Sequence, residues 1–466
     1  MINDNLTERS KNYQFIIDIG KDLDYNILGI IFNKSGGIMK RIRLSEGVFL
    51  NVIKSDKFKT DYFDLNLILP LREETASFAA LLPQVLRRGC KKYPQMSDIS
   101  KRFDYLYSTG FSARVTKRGE NQIVSFTADF LRESLLPSGE HLMDDVFDTM
   151  RNIIFDPLVN DGAFKSEYVE SEKKNLIDAI RSIINNKNAY SMKKCHEAMC
   201  KGQNYAVSEN GKIEIVEKID GTSLYNFYKE FLSRAKIEMF YTGNCDDTVI
   251  EKYARSLISD INTEKLYELH TERFERIRDN VVEITEEMEV AQGKLVLCFR
   301  SGHIISDEKY SAYALFNNIF GGSPTSKLFE NVREKLSLCY FCRSVPDAHK
   351  GILTVVSGIE VANRDKAQKE ILAQLENVKN GIISDEEMAS AKNDMINSYR
   401  SLCDSASDIS TWYLSRIIGG SGKTIEDVID EIGKVTKEDV VACAKATVLD
   451  TTFFLKGTLT DGGDEE

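Results

Sequence analysis

The chain has 466 residues, too many for one hydrophobic core and enough for two or three domains. Apolar residues make up 42% and charged residues 29%, the balance of an ordinary globular protein. With 61 Lys and Arg against 72 Asp and Glu the net charge is −11, a sign that does not suit phosphate backbones and excludes nucleic acid as a partner.

At the start, residues 1–38 are rich in Asn, Asp and Ile and end in Lys34-Ser-Gly-Gly37, which reads as a poorly structured, appended extension. Its apolar runs are short and Phe15–Ile19 is interrupted by Asp18, so no signal peptide is expected. No stretch reaches the roughly eighteen apolar residues of a membrane-spanning helix, and no membrane association is expected. The nine cysteines are scattered and odd in number, which reads as reduced thiols. Cytoplasm is the expected compartment.

From residue 39 onward, Gly47–Ile53 reads as a first strand. Leu65, Leu67 and Leu69 alternate as in a half-buried strand, a helix follows up to Gly89, and Ile123–Ala128 forms the next strand. A helix runs through Glu167–Ala179, another lies around Ser223–Leu232, and a strand closes in Phe240-Tyr-Thr-Gly243. The series then repeats. Leu295, Leu297 and Phe299 alternate 230 residues after the first set, a helix ends at Gly321, and Ile352–Ser357 matches the second strand. A capping signal at Thr436-Lys-Glu-Asp439 opens a last helix, and a strand closes in Phe454-Leu-Lys-Gly457. This duplication predicts an α+β protein of two tandem homologous domains, 39–245 and 284–466, each an antiparallel sheet with helices on one face. A charged, helix-patterned linker, 246–283, joins them. The acidic end, Asp461–Glu466, reads as a solvated tail.

The segment Phe320-Gly-Gly-Ser-Pro-Thr-Ser-Lys-Leu-Phe-Glu-Asn-Val-Arg-Glu-Lys-Leu-Ser-Leu-Cys-Tyr340 resembles a signature of the insulinase/pitrilysin family of zinc peptidases, in its two-domain, processing-peptidase-like form. Val290-Ala-Gln-Gly-Lys-Leu-Val-Leu and Asn317-Asn-Ile-Phe-Gly-Gly extend the likeness, which spans roughly residues 40–460. Such peptidases carry His-x-x-Glu-His on a first-domain helix: two histidines one turn apart share a zinc, and the glutamate activates the bound water. The five histidines here, His141, His196, His270, His303 and His349, are too far apart to form that motif. By position, the resemblance implies that Ala80 and Gln84 stand where the histidines belong and Pro83 where the glutamate belongs. Matching Glu170-Ser-Glu172 to the family's paired acids implies Ala179 in place of the third ligand. Alanine has no donor atom, Gln84 offers a neutral amide, and Pro83 lacks an N–H and would kink the helix.

Substitute sites are weak on spacing. His141-Leu-Met-Asp-Asp145 reads as a solvated helix face. Cys195-His196-Glu197 with Cys200, and Cys339-Tyr-Phe-Cys342, lack the second half that a zinc ribbon needs. No nucleotide-binding glycine loop or Gly-x-Ser-x-Gly elbow is present. What persists is Arg333 and Tyr340. The resemblance implies that both face a chamber and hold a peptide backbone, a role that suits a guanidinium and a phenol as donors to carbonyl oxygens. The expectation is a non-catalytic subunit without a cofactor, paired with a zinc-bearing relative that supplies the metal. The alternatives are a peptide-binding or scaffold protein without a hydrolytic partner, and an active zinc metalloendopeptidase with unrecognised ligands.

Overall fold

The computed structural model describes residues 39–137, 139–269, 272–273 and 280–459. The predicted extension 1–38 and the tail from Asp461 lie outside the described residues. The first half is built on β1 (Met39–Ser45), β2 (Val48–Lys54), β3 (Thr60–Pro70), β4 (Gly110–Arg118) and β5 (Asn121–Leu131), with a short hairpin of β6 (Val159–Asn160) and β7 (Ala163–Phe164), and closes with β8 (Lys236–Gly243). The second half comprises β9 (Val282–Met288), β10 (Gly293–Arg300), β11 (Cys339–Asp347), β12 (Ile352–Ile359) and β13 (Val448–Gly457).

The sheet orders are β1-β2-β8-β3-β5-β4 and β11-β12-β10-β13-β9. Reading the second from β9 reproduces the first from β2 onward, strand for strand. Each sheet also contains one parallel pair, β2 with β8 and β13 with β9, in otherwise antiparallel pairing. The sheets are therefore mixed where fully antiparallel sheets were expected. A strand that enters from outside the local hairpins can pair in either sense, and strand periodicity carries no sign of direction.

Alternation decides which face each residue takes. Leu65, Leu67 and Leu69 point to the first core with Val124, Phe126 and Met239, beneath the Glu73–Leu86, Leu142–Phe155 and Gly221–Arg234 helices. Leu295, Leu297 and Phe299 point to the second core with Leu353 and Val355, beneath the Tyr310–Asn317, Arg364–Lys379 and Lys437–Ala446 helices. Thr436 and Asp439 form the predicted capping box on the last of these. The bridge between the halves is helical over Asp247–Leu257, whose Ile250, Ala254 and Leu257 sit in the first core; the predicted helix at Glu264–Leu269 is absent.

The opposite face of each sheet is covered by the other half. The Lys187–Met199 helix lays Cys195 and Met199 on Val296, Cys298 and Phe453 of the second sheet. In return, the Ala406–Ile418 helix lays Ile409, Tyr413 and Leu414 on Ile53, Ile68 and Phe240 of the first. Helices thus lie on both faces, where one covered face per sheet was expected.

At the centre of the junction the turn of the β4–β5 hairpin meets that of β11–β12. Gly119, at φ +57°, makes this approach possible, since a Cβ there would lie 3.0 Å from the His349 Cβ. Lys350 Nζ donates to Glu120 Oε1 at 2.7 Å, with the side chains 1% and 6% exposed. The two residues are 230 positions apart, the offset of the repeat itself. Equivalent turns in the two halves therefore supply opposite charges to one buried pair on the pseudo-dyad.

Candidate functional site

Ala80, Pro83 and Gln84 lie on the Glu73–Leu86 helix, with Ala80 and Pro83 buried and Gln84 half-buried. The helix continues through Pro83 to Leu86. Pro83 stands in the last turn, where losing the one N–H that would reach Ala79 costs a single bond and no later turn depends on it.

Ala179 is exposed on the Ser166–Ser182 helix, which packs against the first. Between these helices Arg88 Nε donates to Glu172 Oε1, Arg88 Nη2 to Ser171 Oγ at 2.8 Å, and Asn175 Nδ2 to Glu172 Oε2 at 3.0 Å. Glu172 is thus held in a structural ion pair. Lys173 engages Glu170 at 2.9 Å and the Glu217 carbonyl at 3.0 Å. Glu172 thus ties the Ser166–Ser182 helix to the end of the Glu73–Leu86 helix, whereas Glu170 pairs within its own helix.

The other histidine and cysteine groups have structural partners. Asp144 accepts from Tyr253 and Asp145 pairs with Arg102, both beside the His141 helix start. His196 Nε2 lies 2.7 Å from Thr354 Oγ1, and Cys195 Sγ 3.7 Å from the Thr451 carbonyl, all in the seam between the halves. Burial there pushes the Cys200 thiol up to about 12, far from the thiolate that a metal requires. Among the described residues no cluster of three or more His, Cys, Asp or Glu is arranged to hold a metal.

Arg333 lies on a wide, π-type turn of helix, Leu328–Lys335, which follows a second π segment at Asn318–Gly322. Such segments place side chains off the usual helical rows and recur at functional sites. The Arg333 guanidinium stands 4.7 Å from the Phe329 ring centroid and 3.6 Å from Glu334, with its side chain 41% exposed. Ser337, at φ 49°, turns the chain into edge strand β11.

Tyr340 is the extra residue of a bulge, because Cys339 pairs with Ile359 and Phe341 with Gly358. The bulge explains two facts together. It resets the alternation, so that Cys339 and Cys342 both face the second core although three positions apart would normally put them on opposite faces. It also turns Tyr340 outward, 59% exposed on the sheet edge. The Cys-x-x-Cys is core packing, and the residue between its members is the projecting one. Arg333 and Tyr340 are both presented by the second half, whereas Ala80, Pro83, Gln84 and Ala179 belong to the first. Among the described residues no hydrogen bond or ion pair joins the two groups.

Two pseudo-symmetric α+β halves, with no metal-holding cluster among the described residues and with a half-exposed Arg333 and an exposed Tyr340 on the second, make up a peptidase-like scaffold. A family model described as the peptidase M16 inactive domain matches residues 218–395. A Bacillus subtilis protein described as a probable inactive metalloprotease is 33% identical over 416 residues, 88% of this chain and 96% of its own. A second B. subtilis protein, described as an uncharacterized zinc protease, is 26% identical over 50% of this chain and 57% of its own. Among solved structures, a conserved protein of Enterococcus faecalis superposes with TM-score 0.83 at 27% identity, covering 91% of this chain and 100% of that one. A peptidase M16 inactive domain from Pseudomonas fluorescens gives 0.74 at 17% identity, covering 91% and 100%. The chain belongs to the M16 peptidases, the insulinase/pitrilysin family, as a peptidase-like member without the His-x-x-Glu-His motif.

Proposed function

We propose that this chain is the non-catalytic subunit of a two-chain M16 peptidase. In this reading a zinc-bearing relative supplies the metal and the general base, and this chain supplies Arg333 and Tyr340 to a peptide-binding chamber. The observation that carries the reading is the asymmetry of the two halves. In this reading the metal-ligand positions hold Ala80, Gln84 and Ala179, while Arg333 stands half-exposed on a π turn and Tyr340 exposed on a strand bulge. The B. subtilis relatives support the division of labour, since one is described as inactive and the other as a zinc protease. We place the assembly in the cytoplasm, in keeping with nine free cysteines and with the lack, among the described residues, of any helix able to cross a membrane.

The test is purification of the tagged full-length chain from its own cells. The predicted result is a stoichiometric companion of similar length that carries His-x-x-Glu-His, with chelator-sensitive peptidase activity in the complex. A chain recovered alone, or a companion without the motif, contradicts the pairing.

A further inference from the structure

A cleft of about 680 Å³ lies where the two halves meet, lined by Ser182, Asn185, Asn186, Lys187 and Asn188 of the first half and Lys294 of the second. Ser182 ends the helix that carries Ala179, and its hydroxyl donates to the Ala179 carbonyl at 2.9 Å. On the far wall Lys294, Gly358 and Phe341 stand in register across β10, β12 and β11. Phe341 directly follows the bulged Tyr340.

Lys294 is 8% exposed, and its ammonium donates to Gln292 Oε1 and lies 5.4 Å from the Phe341 ring centroid. Gly358 makes this wall possible: a Cβ there would lie 2.6 Å from Phe341 Cε1 and 2.9 Å from Gln292 Oε1. No carboxylate among the described residues pairs with this ammonium. Buried lysines are ordinarily paired, because an uncompensated charge is costly. Facing it, the Lys187–Met199 helix begins in the cleft, with Asn186 as its cap accepting from Ala189 N at 3.1 Å. The amides of Lys187 and Asn188 have no intrahelical acceptor and lie at the positive end of the helix dipole. Ammonium, free amides and neutral asparagines all favour one kind of guest, a compact monoanion.

We propose that this cleft is a carboxylate-binding subsite, in which Lys294 pairs with a carboxylate of a peptide held between the halves. The inference rests on the peptide-binding reading above and adds the chemistry of one end of the ligand. Burial lowers the pKa of Lys294, and a bound carboxylate would oppose that shift by favouring the charged form.

The test uses the full-length chain and one fluorescein-labelled, uncharged decapeptide made in three forms: free acid, C-terminal amide, and amide with one internal glutamate. Binding is read by fluorescence anisotropy. The free acid should bind about ten- to a hundred-fold more tightly than the amide, the range of a charge-assisted hydrogen bond. Lys294→Met should erase that difference and Lys294→Arg should keep most of it. Sodium acetate at constant ionic strength should displace the free acid and leave the amide, a readout that needs no variant. If the internal glutamate matches the free acid, any peptide carboxylate serves; if it matches the amide, the site reads the chain terminus. Equal binding of acid and amide, or a preference that survives Lys294→Met, overturns the carboxylate subsite while peptide binding stands. No binding of any form overturns both.

Discussion

Glu120 and Lys350 occupy equivalent turns of a duplicated chain and neutralise each other in the interior. Removing one partner strands a charge, whereas removing both does not. Glu120→Ala or Lys350→Ala should therefore cost about 3–5 kcal/mol in urea unfolding, and the double variant should cost less than the sum of the two. Additive losses would show that the two charges are not coupled. Asp64 on β3 is a second buried acid, with both carboxylate oxygens lacking a hydrogen-bond partner and Arg114 3.9 Å away. Burial outweighs the Arg114 charge and raises its pKa from 3.8 to about 6. An acid with a raised folded-state pKa binds its proton more tightly in the folded than in the unfolded protein, so its contribution to stability falls as pH rises between those two values. At pH 7 Asp64→Asn should be more stable than wild type by up to about 3 kcal/mol, and the gap should close near pH 4. A gap that does not vary between pH 4 and 7 would place the charge elsewhere. The loss of the motif was legible at this scale, because the absence of His-x-x-Glu-His is visible in the sequence. Lys294 was not, because a lysine in Gly-Lys-Leu-Val-Leu gives no sign that its strand will be covered on both faces.

Elements explain what periodicity could and could not reveal. The main strands and the Thr436 cap were readable because alternation and capping are local. The π turns were not, since they differ from α-helix in which carbonyl each amide reaches, not in residue type. The bulge at Tyr340 was hidden for a related reason: cysteines three apart look like a motif until the register shows that one residue is extra. The helices crossing between halves also escaped: the buried stripe of the Lys187–Met199 helix is Ser191, Cys195 and Met199, too weakly apolar to stand out in the sequence. Leu414→Ala on the Ala406–Ile418 helix should thus behave as a core truncation and cost about 2–5 kcal/mol by chemical denaturation. A loss below 1 kcal/mol would mean that the helix rests loosely on the first sheet. Restoring zinc ligands follows the same logic of paired elements. Ala80→His, Gln84→His or Ala179→Glu alone should give no stoichiometric zinc, since the ligands come from two helices and three are needed together. One tightly bound zinc in any single variant, measured by metal analysis, would show that part of a site survives.

At the scale of the whole molecule, the duplication has been made into one body by reciprocal cover. Each half lends a helix to the other's exposed sheet face, and the hairpin turns lock at a buried ion pair. Such a body should unfold as one cooperative unit, with a calorimetric enthalpy equal to the van't Hoff enthalpy. Two resolved transitions would mean that the halves are separable domains. Rigid closure of this kind keeps the π turn, the bulge and the cleft in fixed relation, which is what a subunit that positions a peptide without cutting it requires. The most direct measurement of that role is the peptide hydrolysis rate of the reconstituted two-chain complex with Arg333→Ala or Tyr340→Phe in this chain. The account predicts a fall of about ten- to a thousand-fold, the effect of losing one preorganised donor, with the complex still intact by gel filtration. Full activity in both variants would contradict it.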